Sequence, residues 1–132
     1  MSLRILVAND DQVAVQTVSS ILKAAGYVVT VAQDAMQAIM RAMKEAPDGI
    51  VLDIGMPGGG GERVLERLRA STKTSMIPVV VVTALTNVQD RARALGAADV
   101  IAKPVTAERL LGALDLALKR PSSHTGDPPG RT

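Results

Sequence analysis

The segment Pro78-Val-Val-Val-Val-Thr83 constrains this chain more than any other stretch. Four successive β-branched residues favour an extended backbone. They show no apolar–polar alternation, so the strand they form is buried on both faces. Such a strand belongs in a sheet covered by helices on either side, and the remaining chain supplies both.

Four more apolar runs fit that sheet: Leu3–Ala8, Tyr27–Ala32, Gly49–Asp53 and Asp99–Ala102. Each interval between runs reads as a helix. Asp11 can cap the first, with Ala14, Val18, Ile21, Leu22 and Ala25 on one face and Gly26 at its end. Asp34 caps the second, with Ala35, Ala38, Ile39, Ala42 and Met43 inward and Pro47 beyond its end. The third spans Glu62–Ala70, with Val64, Leu65 and Leu68 inward, and residues 71–76 form a polar connector. The fourth, Asn87–Leu95, is thinly apolar and closed by Gly96. Thr106 caps the fifth, which carries Leu110, Leu111, Leu114 and Leu118. Strand–helix alternation with right-handed crossovers predicts a doubly wound α/β domain with a five-stranded parallel sheet.

At 132 residues there is room for one such domain. We place it at 3–119, and expect the Pro-, Ser- and Gly-rich segment 120–132 to be a flexible tail or the start of an interdomain linker. Tyr27 is the only aromatic residue, so the core is built from aliphatic side chains. The absence of Cys excludes disulfides and thiolate metal sites. A net charge of +2, without a basic stripe interleaved with aromatics, argues against nucleic-acid binding. No apolar run is long enough to cross a membrane, and a cytoplasmic protein is expected.

In a parallel sheet all strands point their carboxyl ends to one rim, where ligands bind. Strand one ends at Asn9 and Asp10, strand three at Asp53, strand four at Thr83, and strand five leads into Lys103. Two acids, an amide, a hydroxyl and an amine thus meet at one edge. Asp10 and Asp53 are hard oxygen ligands of the kind that hold Mg²⁺. Lys103 and Thr83 can neutralise and hydrogen-bond a phosphoryl group. A carboxylate can itself be the nucleophile. Taken singly these residues say less: Asp11 is a helix cap, the run Gly58–Gly61 is a loop without the Lys-Ser/Thr of a phosphate-binding loop, and His124 is a lone histidine.

The joint pattern resembles the receiver domains of two-component response regulators. It is carried by Ile5-Leu-Val-Ala-Asn-Asp-Asp11, Ala25-Gly-Tyr27, Leu52-Asp-Ile-Gly-Met-Pro57 with Gly61, Val82-Thr-Ala84, Leu95-Gly-Ala97 and Lys103-Pro104. The resemblance implies a flavodoxin-like strand order 2-1-3-4-5. It makes Asp53 the phosphoacceptor, places Mg²⁺ (or Mn²⁺) on Asp10, Asp53 and the Gly55 carbonyl, and makes Thr83, Ala84 and Lys103 the phosphoryl-binding set. It implies a cis Lys103–Pro104 bond and a loop role for Met56, Pro57 and Gly61. The implied donor is a sensor histidine kinase or a histidine phosphotransfer protein. The implied recipient of the signal is an output domain or effector protein, with homodimerisation through the fourth helix, fifth strand and fifth helix. On this reading the chain is a phosphoacceptor that assists its own phosphorylation and dephosphorylation, and is not otherwise an enzyme.

Three departures from that pattern matter. Asn9 stands where the family has the first of two acids, which removes a charge from the metal site; it can still reach the metal through a water. Val100 stands at the aromatic switch position. Gly60, in a run of four glycines, replaces an acid, and the loop before the third helix is expected to be mobile. Gly55 and Leu85 occupy the positions that modulate hydrolysis and cannot orient a water, so a long-lived phosphorylated form is expected. The alternative is a degenerate receiver, in which Asn9 has cost the metal site and the domain serves as a phosphorylation-independent interaction module. A flavin-binding domain would share the architecture, but the rim lacks aromatics to flank the ring.

Overall fold

A computed structural model describes residues 2–56, 60–85 and 87–119. Ten elements alternate along the chain: β1 (Arg4–Ala8), α1 (Gln12–Ala24), β2 (Val28–Ala32), α2 (Ala35–Glu45), β3 (Gly49–Asp53), α3 (Gly60–Ala70), β4 (Val79–Thr83), α4 (Gln89–Ala94), β5 (Asp99–Ala102) and α5 (Ala107–Lys119). The strands form one sheet in the order β2-β1-β3-β4-β5, and every neighbouring pair is parallel.

The valine run of β4 lies buried along its whole length, as does β3. Successive side chains of a strand point to opposite faces, and the core divides accordingly. Leu6, Ile50, Leu52, Val79 and Val81 pack under α2, α3 and α4. Ile5, Val7, Val51, Val80, Val82 and Ile101 pack under α1 and α5. Burial of each such side chain stabilises the fold by about 1.5–3 kcal/mol before entropy is counted.

The caps explain where the helices begin. The Asp11 carboxylate accepts the Val13 and Ala14 amides at the start of α1, and Asp34 accepts the Gln37 amide at the start of α2. Gln37 in turn accepts the Gln33 amide, so the two side chains close that helix end reciprocally. Thr106 accepts the Arg109 amide ahead of α5.

Four expectations need correction. Met43 is 41% exposed, because the buried face of α2 narrows to Ala38 and Ala42. Ala25, at the end of α1, also faces solvent. Helix α3 starts at Gly60, two residues before Glu62, so Gly60 and Gly61 are buried helical residues and no part of a loop. Helix α4 is shorter than Asn87–Leu95 because Val88, at its N-cap, offers no side-chain acceptor. Pro57, Gly58 and Gly59, with the expected loop mobility, lie outside the described residues, as do the tail 120–132 and His124.

Candidate functional site

Asp53 is the last residue of β3 and lies in register with Val82 of β4. That register delivers its carboxylate to the carboxyl rim while the backbone stays inside the sheet. Only 8% of the residue is exposed. Its Oδ1 accepts the Gly55 amide at 2.9 Å, and its Oδ2 accepts Lys103 Nζ at 3.2 Å. The nearly buried carboxylate is therefore oriented from one side and charge-paired on the other. Charge-assisted bonds of this kind are stronger than neutral ones.

Lys103 reaches the carboxylate because β5 ends beside β4. The Lys103 amide donates to the Thr83 carbonyl at 2.9 Å, which continues the β4–β5 ladder past the last paired residues. The Lys103–Pro104 peptide is cis. Thr83 is 1% exposed, and its Oγ1 accepts the Leu85 amide at 3.0 Å. Among the described residues nothing accepts the hydroxyl proton, which can be donated. Ala84 and Leu85 are both exposed at this strand end.

The β1 corner is built differently. Asn9 is buried; its amide donates to the Ala32 carbonyl, and its side-chain oxygen accepts the Asp11 amide at 2.9 Å. This side-chain turn, with Asp11 capping α1, leaves Asp10 exposed between them. Asn9 thus holds the turn in shape, while the Asp10 carboxylate makes no hydrogen bond to a described residue. Asn9, Asp53 and Lys103 all line one cavity of about 290 Å³. Its floor is Val7, Val51 and Val82, and α1 and Pro104–Val105 form its sides. Apolar walls lower the local dielectric and strengthen the Lys103–Asp53 attraction relative to water.

Gly61 and Gly60 approach the chain that follows Asp53. A Cβ on Gly61 would fall 2.2 Å from Ile54 Cα and 2.8 Å from the Asp53 carbonyl oxygen. One on Gly60 would fall 2.5 Å from Met56 Cβ. The first turn of α3 therefore rests directly on the backbone that follows Asp53, with Met56 buried beneath it. Gly55, by contrast, is open: a Cβ there would meet only Asp53 Oδ1, at 3.5 Å.

The groups that could hold a cation at this rim are oxygens: the Asp10 and Asp53 carboxylates, the Gly55 carbonyl and the second lone pair of the Asn9 amide. Among the described residues no group of three acidic, imidazole or thiolate side chains converges. Two carboxylates and one carbonyl suit a hard cation that keeps several waters, as Mg²⁺ does. Val100 is 5% exposed within the α2–α4 layer of the core, so no aromatic side chain stands at that place to turn in or out.

Sequence reasoning missed two features here. One is the steric role of Gly60 and Gly61, since a glycine run signals loop and close approach alike. The other is the cavity, which arises where the small residues Ala14 and Thr17 of α1 face the valine floor.

The family model described as "Response regulator receiver domain" matches residues 5–115. Among curated proteins, the chain is 36% identical over 135 residues to the response regulator MprA of Mycobacterium sp. (strain KMS), covering 100% of this chain and 58% of that protein. It is 40% identical over 107 residues to the response regulator PleD of Caulobacter vibrioides, covering 80% of this chain and 24% of that protein. It is 37% identical over 119 residues to the DNA-binding dual master transcriptional regulator RpaA of Synechocystis, covering 89% and 49%. The chain thus spans about half of MprA and RpaA and a quarter of PleD. Among solved structures, a response regulator of Chloroflexus aurantiacus superposes with a TM-score of 0.87 at 25% identity, over 91% of this chain and 100% of the other. The receiver domain of a Pseudomonas aeruginosa sensor histidine kinase, crystallised with a magnesium ion coordinated in its active-site cleft, superposes with a TM-score of 0.83 at 25% identity, over 91% and 100%.

Proposed function

Because the chain belongs to the receiver domains of response regulators, we propose that it accepts a phosphoryl group on Asp53 from a phosphohistidine of a partner protein. The observation that carries this reading is the nearly buried Asp53 carboxylate, 3.2 Å from Lys103 at the end of a central strand. Next to it, at the end of β4, lies the buried Thr83. A carboxylate oxygen of Asp53 attacks phosphorus, a P–O bond forms, and the P–N bond to the imidazole breaks. Gly55 holds the carboxylate by its amide, so little reorientation precedes attack. Lys103 transfers its charge from the free carboxylate to the phosphoryl oxygens, and the Thr83 hydroxyl turns from its local turn to donate to one of them. Asp10, Asp53 and the Gly55 carbonyl would hold Mg²⁺ or Mn²⁺, with Asn9 contributing through water. When bound, the cation offsets charge on the phosphoryl group in a loose transition state.

The donor on this reading is a sensor histidine kinase or a histidine phosphotransfer protein, in the cytoplasm, and the domain supplies its own transfer chemistry. The recipient of the signal is an output domain or a separate effector, reached by a shift in population between two arrangements of the α4–β5–α5 side. A phosphorylation-independent module is the competing reading, and Asn9 is what favours it.

Intact-protein mass spectrometry after incubation with acetyl phosphate decides between them. One added phosphoryl group is expected in the wild type with Mg²⁺, and none in Asp53→Asn or with the metal chelated. No adduct under any condition would overturn phosphorylation in favour of the interaction module.

A further inference from the structure

Helix α4 has little to hold it. Only Ala92 of its residues is buried, and among the described residues no side chain caps its start. Its polar attachments to α3 come from opposite ends of that helix, and they differ in kind.

At the end of α3, Arg69 turns its guanidinium inward. Nη2 donates to the Gly96 carbonyl at 2.9 Å, and Nη1 donates to the carbonyls of Ile77 at 3.0 Å and Ser75 at 3.1 Å. No carboxylate partner for Arg69 occurs among the described residues, so its charge is spent on carbonyl oxygens of two separate turns. The buried Thr74 hydroxyl closes the α3–β4 turn on the Leu68 carbonyl at 2.7 Å. Gly96, with φ +100°, leaves room for the guanidinium, since a Cβ there would lie 2.6 Å from Arg69 Nε. Burial lowers the Arg69 pKa, as expected of a cation withdrawn from water.

At the start of α3, Glu62 pairs with Arg91 of α4 at 2.6 Å. The Arg91 side chain of this pair is 62% exposed and the Glu62 side chain 32%, and pairs so open to solvent contribute little. Glu62 follows Gly61, whose Cα sits against the backbone of Ile54. The residue next to Glu62 thus packs on the backbone that follows Asp53.

We propose that α4 is a lever: Arg69 pins its C-terminal end at Gly96, and the Glu62–Arg91 pair is a latch that frees its N-terminal half. The coupling of the latch to Asp53 rests on the phosphoacceptor reading, whereas the pin and the latch themselves do not. A lever of this kind supplies an output movement without an aromatic switch, the side chain that Val100 lacks. In chain order its free half follows β4 and its fixed end leads into β5.

Amide exchange resolved by NMR on the whole chain tests the lever. The Ala92 amide, bonded to the Val88 carbonyl, reports the free half; the Ala98 amide, bonded to the Val79 carbonyl, reports the pinned end. Arg91→Gln is expected to speed exchange at Ala92 by roughly two- to five-fold and to leave Ala98 unchanged. Arg69→Met is expected to speed exchange at Ala98 and Ile77. If Arg69→Met also speeds exchange at Leu52 in β3, it has loosened the whole fold, and Arg69→Lys, which keeps the charge but cannot span both turns, takes its place. Equal acceleration of both amides by Arg91→Gln, or an unchanged Ala98 in the Arg69 variants, would overturn the lever. In wild-type protein with acetyl phosphate and Mg²⁺, Ala92 should speed up and Ala98 should not. If mass spectrometry finds no phosphoryl group, the phosphoacceptor reading fails, and the variants still decide the lever.

Discussion

Helices α5 and α4 flank the same strand and are built on opposite principles. Helix α5 runs for 13 residues, is capped by Thr106 and buries Leu110, Ala113, Leu114 and Ala117. Helix α4 runs for six residues and buries Ala92 alone. One is held by apolar area, which is not directional and is lost only by unfolding. The other is held by a few polar contacts, each of which can open by itself. A domain that must switch while remaining folded needs both kinds of attachment, and here they lie on either side of β5.

Truncation of the anchored side should have the largest effect. Leu114→Ala leaves a cavity in a fully buried layer and is expected to lower stability by about 2–5 kcal/mol. The counterpart in the tethered helix, Ala92→Gly, is expected to lower it by about 1 kcal/mol. Urea unfolding of the two variants compares them directly; equal losses would mean that α4 is as firmly anchored as α5. Gly61→Ala is expected to fall between the two, at about 1–3 kcal/mol, because the new Cβ meets backbone that cannot rotate away. It should also slow phosphorylation by acetyl phosphate, followed by mass spectrometry, since the same backbone positions Asp53.

The smallest effect concerns Asp99, which ties β5 to both helices through Arg93 at 3.2 Å and Arg109 at 3.0 Å. Burial pushes its carboxyl up, but the Arg109 hydrogen bond, the Val100 amide and Arg93 outweigh burial and hold it below its ordinary 3.8. A depressed folded pKa contributes stability that is complete above the unfolded value and is lost as pH falls through the folded one. Thermal unfolding below about pH 4 should therefore show a smaller acid-induced loss in Asp99→Asn than in wild type.

Much of this molecule was legible in its sequence, for identifiable reasons. β4 announced itself because four valines admit few alternatives, and Asp11, Asp34 and Thr106 marked helix starts because a short polar side chain before an apolar periodicity has a specific task. Asp53 and Lys103 stood out as reactive groups at strand ends, and parallel topology alone brings strand ends together. Met43 was misplaced because helical spacing assigns a face without saying how wide the buried stripe is. Gly61 misled because a glycine that must turn and a glycine that must be touched are written with the same letter. Arg69 was invisible: an arginine in the last turn of a helix normally faces water, and its acceptors are backbone carbonyls that no residue type encodes.

The chain's single aromatic residue has an experimental consequence. Tyr27 precedes β2 at the amino-terminal end of the sheet, the end remote from Asp53, and packs against the α1–α5 layer. Its phenol is pushed up first by burial and then by Asp115, so its surroundings belong to that corner alone. With no Trp or Phe present, near-ultraviolet absorbance and emission arise from Tyr27. They record the melting of the base of the domain and are blind to events at the rim, so optical titrations that succeed with Trp-bearing proteins would report silence here even as the site changes state.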